Sequence, residues 1–219
     1  MEAFVVVSVR MAVILLMLSM GLRVTHGALL KLWRQPRLLL KTLLAAFIIV
    51  PLFTYLVMNT MPLSFPSKAA LWLVAITPGA PMIFTSASRR ASSDPDLAAS
   101  FQVTVALLVI MIAPLWILVT NAITGTRYEI DPLAVARQVL AIQLVPILAG
   151  RVAHHMRPHL AIAVGNIILK LALAVLIVLV LLILAFVAGP IASGTGWQDF
   201  AAAALVVASA MIGGYMLGG

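Results

Sequence analysis

The sequence predicts an all-α integral membrane protein, a polytopic helical bundle of about seven spans with one of them broken. Three observations predict it. Hydrophobic residues make up 64% of the 219 residues, charged residues 9%, and the mean hydropathy is +1.19, too apolar for a chain that must present a polar surface to water. The hydrophobic runs recur in blocks of about 20 residues, the length a helix needs to cross ~30 Å of hydrocarbon. One block is interrupted by Thr77-Pro78-Gly79-Ala80-Pro81.

The spans expected in order are Ala3–Leu22, Leu38–Val57, Ala69–Ser88 (broken), Leu97–Thr120, Leu133–Val152, Ile162–Val187 and Phe200–Leu217, together one transmembrane domain over residues 1–219. The first does not read as a signal peptide. Its leading residues carry Glu2 instead of a basic stretch, and a strongly cationic loop follows it. Pro51, Pro114 and Pro146 sit inside spans and should bend them. Glycines in Ile212-Gly213-Gly214-Tyr215-Met216-Leu217-Gly218-Gly219 would let another helix approach closely.

Charge placement sets an orientation. Arg23, Lys31, Arg34, Arg37 and Lys41 lie in the first loop, Arg89 and Arg90 in the third, and Arg151 and Arg157 in the fifth. The other three loops hold Lys68 and Arg127, so the split is nine Lys/Arg against two, alternating along the chain. The positive-inside rule then puts the rich loops in the cytoplasm and the N-terminus outside, in a bacterial inner (plasma) membrane. This placement explains the net charge of +8 through orientation and anionic headgroups, with no nucleic acid as partner. Lys170 and Arg137 lie near span ends and can snorkel. Arg10 lies deeper, where an ionisable group is a functional candidate, although snorkelling suits it too.

The break is the chemical centre of the chain. Pro78 and Pro81 have no N–H, and Gly79 between them adds backbone freedom, so a continuous helix is not expected. Broken backbone at membrane depth survives where protein or a water-filled cavity covers it. Secondary transporters use such breaks as solute sites, with the positive end of a half-helix aimed at the ligand. A simple proline kink is the other reading of the same residues. The expected solute-binding residues are Thr77, Pro78, Gly79, Ala80, Pro81, Thr85, Ser86 and Gln102. Ser100 and Thr104, four apart and so on one helix face, are the candidate ion ligands. Gln102 and Gln143 are costly in lipid and should face protein or water, whereas any single Ser or Thr in a membrane helix can simply bond its own backbone.

Enzyme chemistry finds no foothold. There is no Cys, hence no thiolate, disulfide or Cys-based metal site. His154 and His155 are adjacent, off a common helix face, and read as part of the basic fifth loop. No HExxH, P-loop or GxGxxG occurs, and all six acidic residues lie in loops or near span ends. No catalytic residue, metal or cofactor is expected.

Several short motifs then resemble one family, the bile acid:sodium symporters. Leu18-Ser19-Met20-Gly21-Leu22 resembles its Met-Gly-Leu signature, and Phe47-Ile48-Ile49-Val50-Pro51 its Phe-x-x-x-Pro helix. Thr77-Pro78-Gly79-Ala80 resembles its Cys-Pro-Gly-Gly break, and Asp96-Leu97-Ala98-Ala99-Ser100 the start of the helix that follows. Val145-Pro146-Ile147-Leu148-Ala149-Gly150, running on to Arg157-Pro158, resembles a later Pro-x-x-x-Gly helix and its basic end. No one motif is specific; their order along nearly the whole chain is. The resemblance implies a ten-helix fold of two inverted five-helix repeats, with a panel domain moving against a core domain, of which this chain matches helices two to eight. It thus implies a partial inverted-repeat transporter fold without the last two helices. It also implies transport of bile acids, other organic anions or small carboxylates, usually with sodium. The family's Ser-Asn pair falls on Ile83 and Phe84, and one Gln on Ala46, while Ser100 and Thr104 are kept. Two hydroxyls and freed carbonyls are few ligands for a hard cation, and a two-residue slip would bring in Thr85 and Ser86, so sodium stays open as coupling ion.

The expectation is therefore a secondary transporter, or a fragment of one, carrying a small organic anion across a lipid bilayer. The alternative is a truncated or degenerate membrane protein that only assembles with others. Substrate, coupling ion and homo-oligomeric state are not legible in the residues.

Overall fold

The structure is a computed structural model, and it describes residues 2–24, 27–77, 94–124, 131–194 and 196–218. Every regular element among them is helical. The helices are α1 (Glu2–Arg23), α2 (Pro36–Leu44), α3 (Val50–Thr60), α4 (Phe65–Ile76), α5 (Pro95–Thr124), α6 (Pro132–Val139), α7 (Val145–Met156), α8 (Pro158–Gly194) and α9 (Trp197–Gly218). By length and composition, five stretches among the described residues could cross a membrane: Phe4–Arg23, Pro36–Thr60, Asp96–Ala122, Ala136–Met156 and Pro158–Leu182. Two shorter apolar helices, Phe65–Ile76 and Trp197–Gly213, complete the set. Each of the seven overlaps one hydrophobic block of the sequence, the later half of the third block lying outside the described residues.

Two of the crossing stretches share one device. In each, an α-helix passes through a π turn, Ala45–Ile49 in one and Leu140–Leu144 in the other. A proline follows as the second residue after the turn, Pro51 or Pro146. A proline ring normally clashes with the carbonyl four residues back and leaves it without its donor. A π turn stands just before each proline: Val50 N–H reaches Ala45 O, and Val145 N–H reaches Leu140 O.

Acidic side chains serve at helix starts. Asp131 Oδ1 accepts from Leu133 N–H at 2.9 Å, and Asp199 Oδ2 from Gly196 N–H at 3.0 Å. Ser64 caps α4 by accepting from Ser67 N–H at 3.4 Å. Asp94 Oδ1 accepts from Asp96 N–H (3.0 Å) and Leu97 N–H (3.2 Å) at the start of α5, and its other oxygen pairs with Lys31. The bond from Lys31 is the main cause that holds the Asp94 carboxyl below its ordinary 3.8, against burial, which pushes it up; the Leu97 N–H adds to the lowering. The same bond holds the Lys31 ammonium above 10.5. A depressed carboxylate contributes stability above its unfolded value and loses it as pH falls through the folded one. The contribution should therefore be whole at neutral pH and disappear below about 3.8. Asp94→Asn keeps a capping oxygen and removes the charge. It should make stability flatter in that acid window, by thermal melts across pH, while Asp94→Ala should cost about 1 kcal/mol at neutral pH.

The chain divides into two compact units. The first comprises Met1–Lys31, Gly79–Ile110 and Glu129–Phe186. Its core gathers Leu16, Met17, Met20 and Val24 of the first segment with Ala28, Ala99, Ile147 and Ala172. The second comprises Leu32–Pro78, Met111–Tyr128 and Val187–Gly219. In it α9 packs on α2, α3 and α4, around Trp72, Thr54, Val57, Ala202 and Val206. The two long helices α5 and α8 change unit after Ile110 and after Phe186. Pro114 and Pro190 lie four residues beyond those two, so neither carbonyl has its helical donor.

A tight helix crossing in the first unit joins two of the sequence motifs. A Cβ added at Gly21 of α1 would stand 2.1 Å from Ile147 O, and one at Gly150 of α7 would stand 2.5 Å from Leu18 O and 2.8 Å from Leu22 N. The Met-Gly-Leu and Pro-x-x-x-Gly signatures are two halves of one contact, each glycine admitting the other's backbone. The close approach expected of the last glycines is not found at Gly213, whose Cβ would meet only Ile49 Cγ2 at an ordinary 4.0 Å.

Candidate functional site

The third block starts earlier than expected, at Phe65, and leaves helical geometry at Thr77, the residue before Pro78, at φ −116° and ψ 61°. Thr77 N–H still bonds Leu73 O at 3.2 Å, and its exposed hydroxyl donates to the same carbonyl. The 12 residues of α4 reach about 18 Å, short of a bilayer's hydrocarbon. Pro78, Gly79, Ala80, Pro81, Thr85 and Ser86 lie outside the described residues, as do Ile83, Phe84, Arg89 and Arg90.

The two candidate ion ligands both lie on α5. Both side chains are buried; Thr104 Oγ1 donates to Ser100 O at 2.7 Å, and Ser100 Oγ donates across to Leu29 O at 2.8 Å. Leu29 belongs to the short 3-10 turn Ala28–Leu30 that follows α1. These bonds use each hydroxyl's hydrogen to hold the backbone, and a hydroxyl that donates keeps lone pairs that can accept or coordinate.

Gln102 lies two residues from each, about 200° around the helix, and so on another face. It is 1% exposed, and its Nε2 donates to Gln143 Oε1 at 3.3 Å. Gln143 sits in the π turn Leu140–Leu144, so the wide turn presents an amide to α5. Buried amides are expensive unless satisfied, and those in membrane helices tend to serve function. The sequence signalled both glutamines as costly; nothing in it signalled that they meet.

Sequence reasoning missed two further arrangements. In the second unit Trp72 is 1% exposed and stacks edge-on against Tyr55 and Trp116, with ring centroids 6.1 and 5.6 Å away. Trp116 Nε1 donates to Phe47 O at 2.8 Å. Phe47 is the residue four before Pro51, so the indole stands where the missing helical donor would have been. A proline with an apolar run before it marks the vacancy; no local signal marks the distant tryptophan.

In the first unit the expected fifth loop is helix up to Met156, and its basic residues have tasks. His154 Nδ1 donates to Leu22 O at 2.7 Å, and Arg151 Nη1 to Val24 O at 3.1 Å. Both carbonyls are orphans at the end of α1, where cationic donors are favoured. Since a carbonyl can only accept, His154 carries its proton on Nδ1. Gly165 of α8 completes the clamp; a Cβ there would stand 2.9 Å from Arg23 Cγ.

The comparisons bear on this arrangement. No curated protein matches the sequence. The family model described as the sodium bile acid symporter family matches residues 10–193, which takes in the paired glycines, both π turns and the Ser100–Thr104 face. Members of that family are transporters. The chain belongs to the sodium bile acid symporter family.

Proposed function

We propose that the chain is a secondary transporter, or part of one, that moves a small organic anion such as a bile acid-like or small carboxylate solute by alternating access. Its membrane helices and family make it an integral membrane protein. The observation that carries the proposal is the family match over residues 10–193, on a chain whose interior polar side chains concentrate on α5. The division into two compact units supports a mechanism in which one body moves against another, as the family's panel and core domains do.

In this reading the Pro78–Pro81 break and Gln102 contact the solute, and Ser100 and Thr104 offer oxygens to a coupling cation such as sodium. The basic loops face the cytoplasm and the N-terminus faces out, in a bacterial inner membrane.

Uptake of a labelled bile acid into proteoliposomes, with and without an inward sodium gradient, tests the proposal. Uptake should follow the gradient. Gln102→Leu should lower it about tenfold, the loss of one amide hydrogen bond, with the helical content unchanged by circular dichroism. Uptake that survives replacement of both Pro78 and Gly79 by alanine would remove the break from the site, and absence of uptake for every organic anion tried would remove the function.

A further inference from the structure

α7 and α8 meet at Arg157, where the backbone turns out of one helix (φ −146°, ψ 80°) and Pro158 starts the next. An open groove begins at this corner, about 580 Å³ including the space at its mouth. Its floor is Leu22 and Ala161, both buried; its walls are Ala153 and Met156 from α7 and Leu160 and Val164 from α8. Leu160, Ala161 and Val164 are spaced at three and four residues, so they share one face of α8, and Arg157 stands at the corner just before that helix. Arg157 is the sole polar side chain of the lining.

Three features decide what fits. The groove is apolar along its length, and Met156 and Leu160, 75% and 56% exposed, lie open beside it. Its one end is cationic. Arg157 and His159 are exposed there, no acidic residue occurs between Asp131 and Asp199, and Arg157 makes no ion pair among the described residues. Both walls belong to stretches able to cross a membrane, Ala136–Met156 and Pro158–Leu182, and the groove starts where both stretches end. Arg157 therefore stands at headgroup level, and the trough runs from it along α8 for about 10 Å toward the hydrocarbon.

We infer that this groove binds an acidic phospholipid, with the phosphate on the Arg157 guanidinium and one acyl chain along Ala153, Leu160 and Val164. A planar guanidinium offers two parallel N–H donors to a phosphate. A free phosphate would gain nothing from the apolar trough, and a zwitterionic lipid would bring its own cation against Arg157. Basic pockets between membrane helices recognise anionic headgroups in this way.

The test uses the full chain, purified in detergent, stripped of lipid and titrated with phosphatidylglycerol, phosphatidylcholine or glycerol phosphate. Native mass spectrometry counts retained lipid and thermal melting reads stabilisation. Phosphatidylglycerol should be retained as one molecule and raise the melting temperature; phosphatidylcholine and glycerol phosphate should do neither. Arg157→Gln should weaken retention about fivefold, the contribution of one interfacial cation. Arg157→Lys should recover most of it, and Ala153→Phe should displace the chain by filling the trough. Arg137→Gln, an exposed basic residue on α6, should change nothing. Equal retention of phosphatidylcholine, or full retention by Arg157→Gln, would overturn the inference. So would equal losses in the Arg137 and Arg157 variants, since these would indicate net charge alone.

Discussion

Replacing Gly150 by alanine should destabilise the protein by about 3 kcal/mol or more, the upper end for forcing extra atoms into a packed interface. The reason is what the new methyl would meet. Leu18 O and Leu22 N lie 2.5 and 2.8 Å from its position, and these are backbone atoms of a helix that cannot rotate out of the way as a side chain can. The helices must separate, and separation removes the dense contact that drives association where lipid tails are as apolar as the side chains. Gly21→Ala should behave alike, because its methyl would stand 2.1 Å from Ile147 O. The double variant should cost clearly less than the sum, since the first methyl already parts the helices and makes room for the second. Gly213→Ala should change stability by less than about 0.5 kcal/mol. Melting of detergent-purified variants checks all four, with the first two shifted by roughly 6–12 °C. A tolerated Gly150→Ala would mean that the two helix backbones do not touch.

Trp116→Ala should be comparably damaging, about 3–5 kcal/mol for a large aromatic removed from a packed site. It takes away the edge contact with Trp72 and the indole donor to Phe47 O together. Trp116→Phe separates the two. The phenyl ring keeps most of the packing, and the missing N–H should cost about 1–3 kcal/mol, the penalty for a buried carbonyl deprived of a partner. Adding Pro51→Ala supplies an N–H four residues after Phe47. The Trp116→Phe loss should therefore shrink in that background, a coupling that stability measurements on the four proteins of the cycle would read. Equal losses in both backgrounds would mean that the indole does not stand in for the proline's missing donor.

Much of the fold was legible because its solvent is lipid. A helix in hydrocarbon must be about 20 residues long and apolar throughout, so hydropathy alone marked the blocks in which the described membrane-length helices lie. Caps emerged only with the helix starts: Ser64, Asp94 and Asp131 each stand next to one and accept from N–H groups two or three residues on. The candidate site was less legible. Ser100 and Thr104 could be paired on a helical wheel, and in the structure both are buried on α5 with each hydroxyl bonded to a backbone carbonyl. The Gln102–Gln143 bond could not be foreseen, because the partners lie 41 residues apart and meet through a π turn that has no composition of its own. The roles of His154 and Arg151 were misread as loop charge, since a basic residue near a membrane edge looks the same whether it caps a distant helix or not.

By itself the sequence determined that this chain is helical, membrane-embedded and interrupted by prolines, because each of those properties depends on residues within one turn or one span of each other. Tertiary structure alone decided that Gly21 opposes Gly150, that Trp116 serves Phe47, and that the end of α1 is held by Arg151 and His154. Those pairings depend on which helix faces which, and in an evenly apolar chain hydrophobicity cannot distinguish one face from another; small residues and unsatisfied carbonyls, found only by their partners, make the choice.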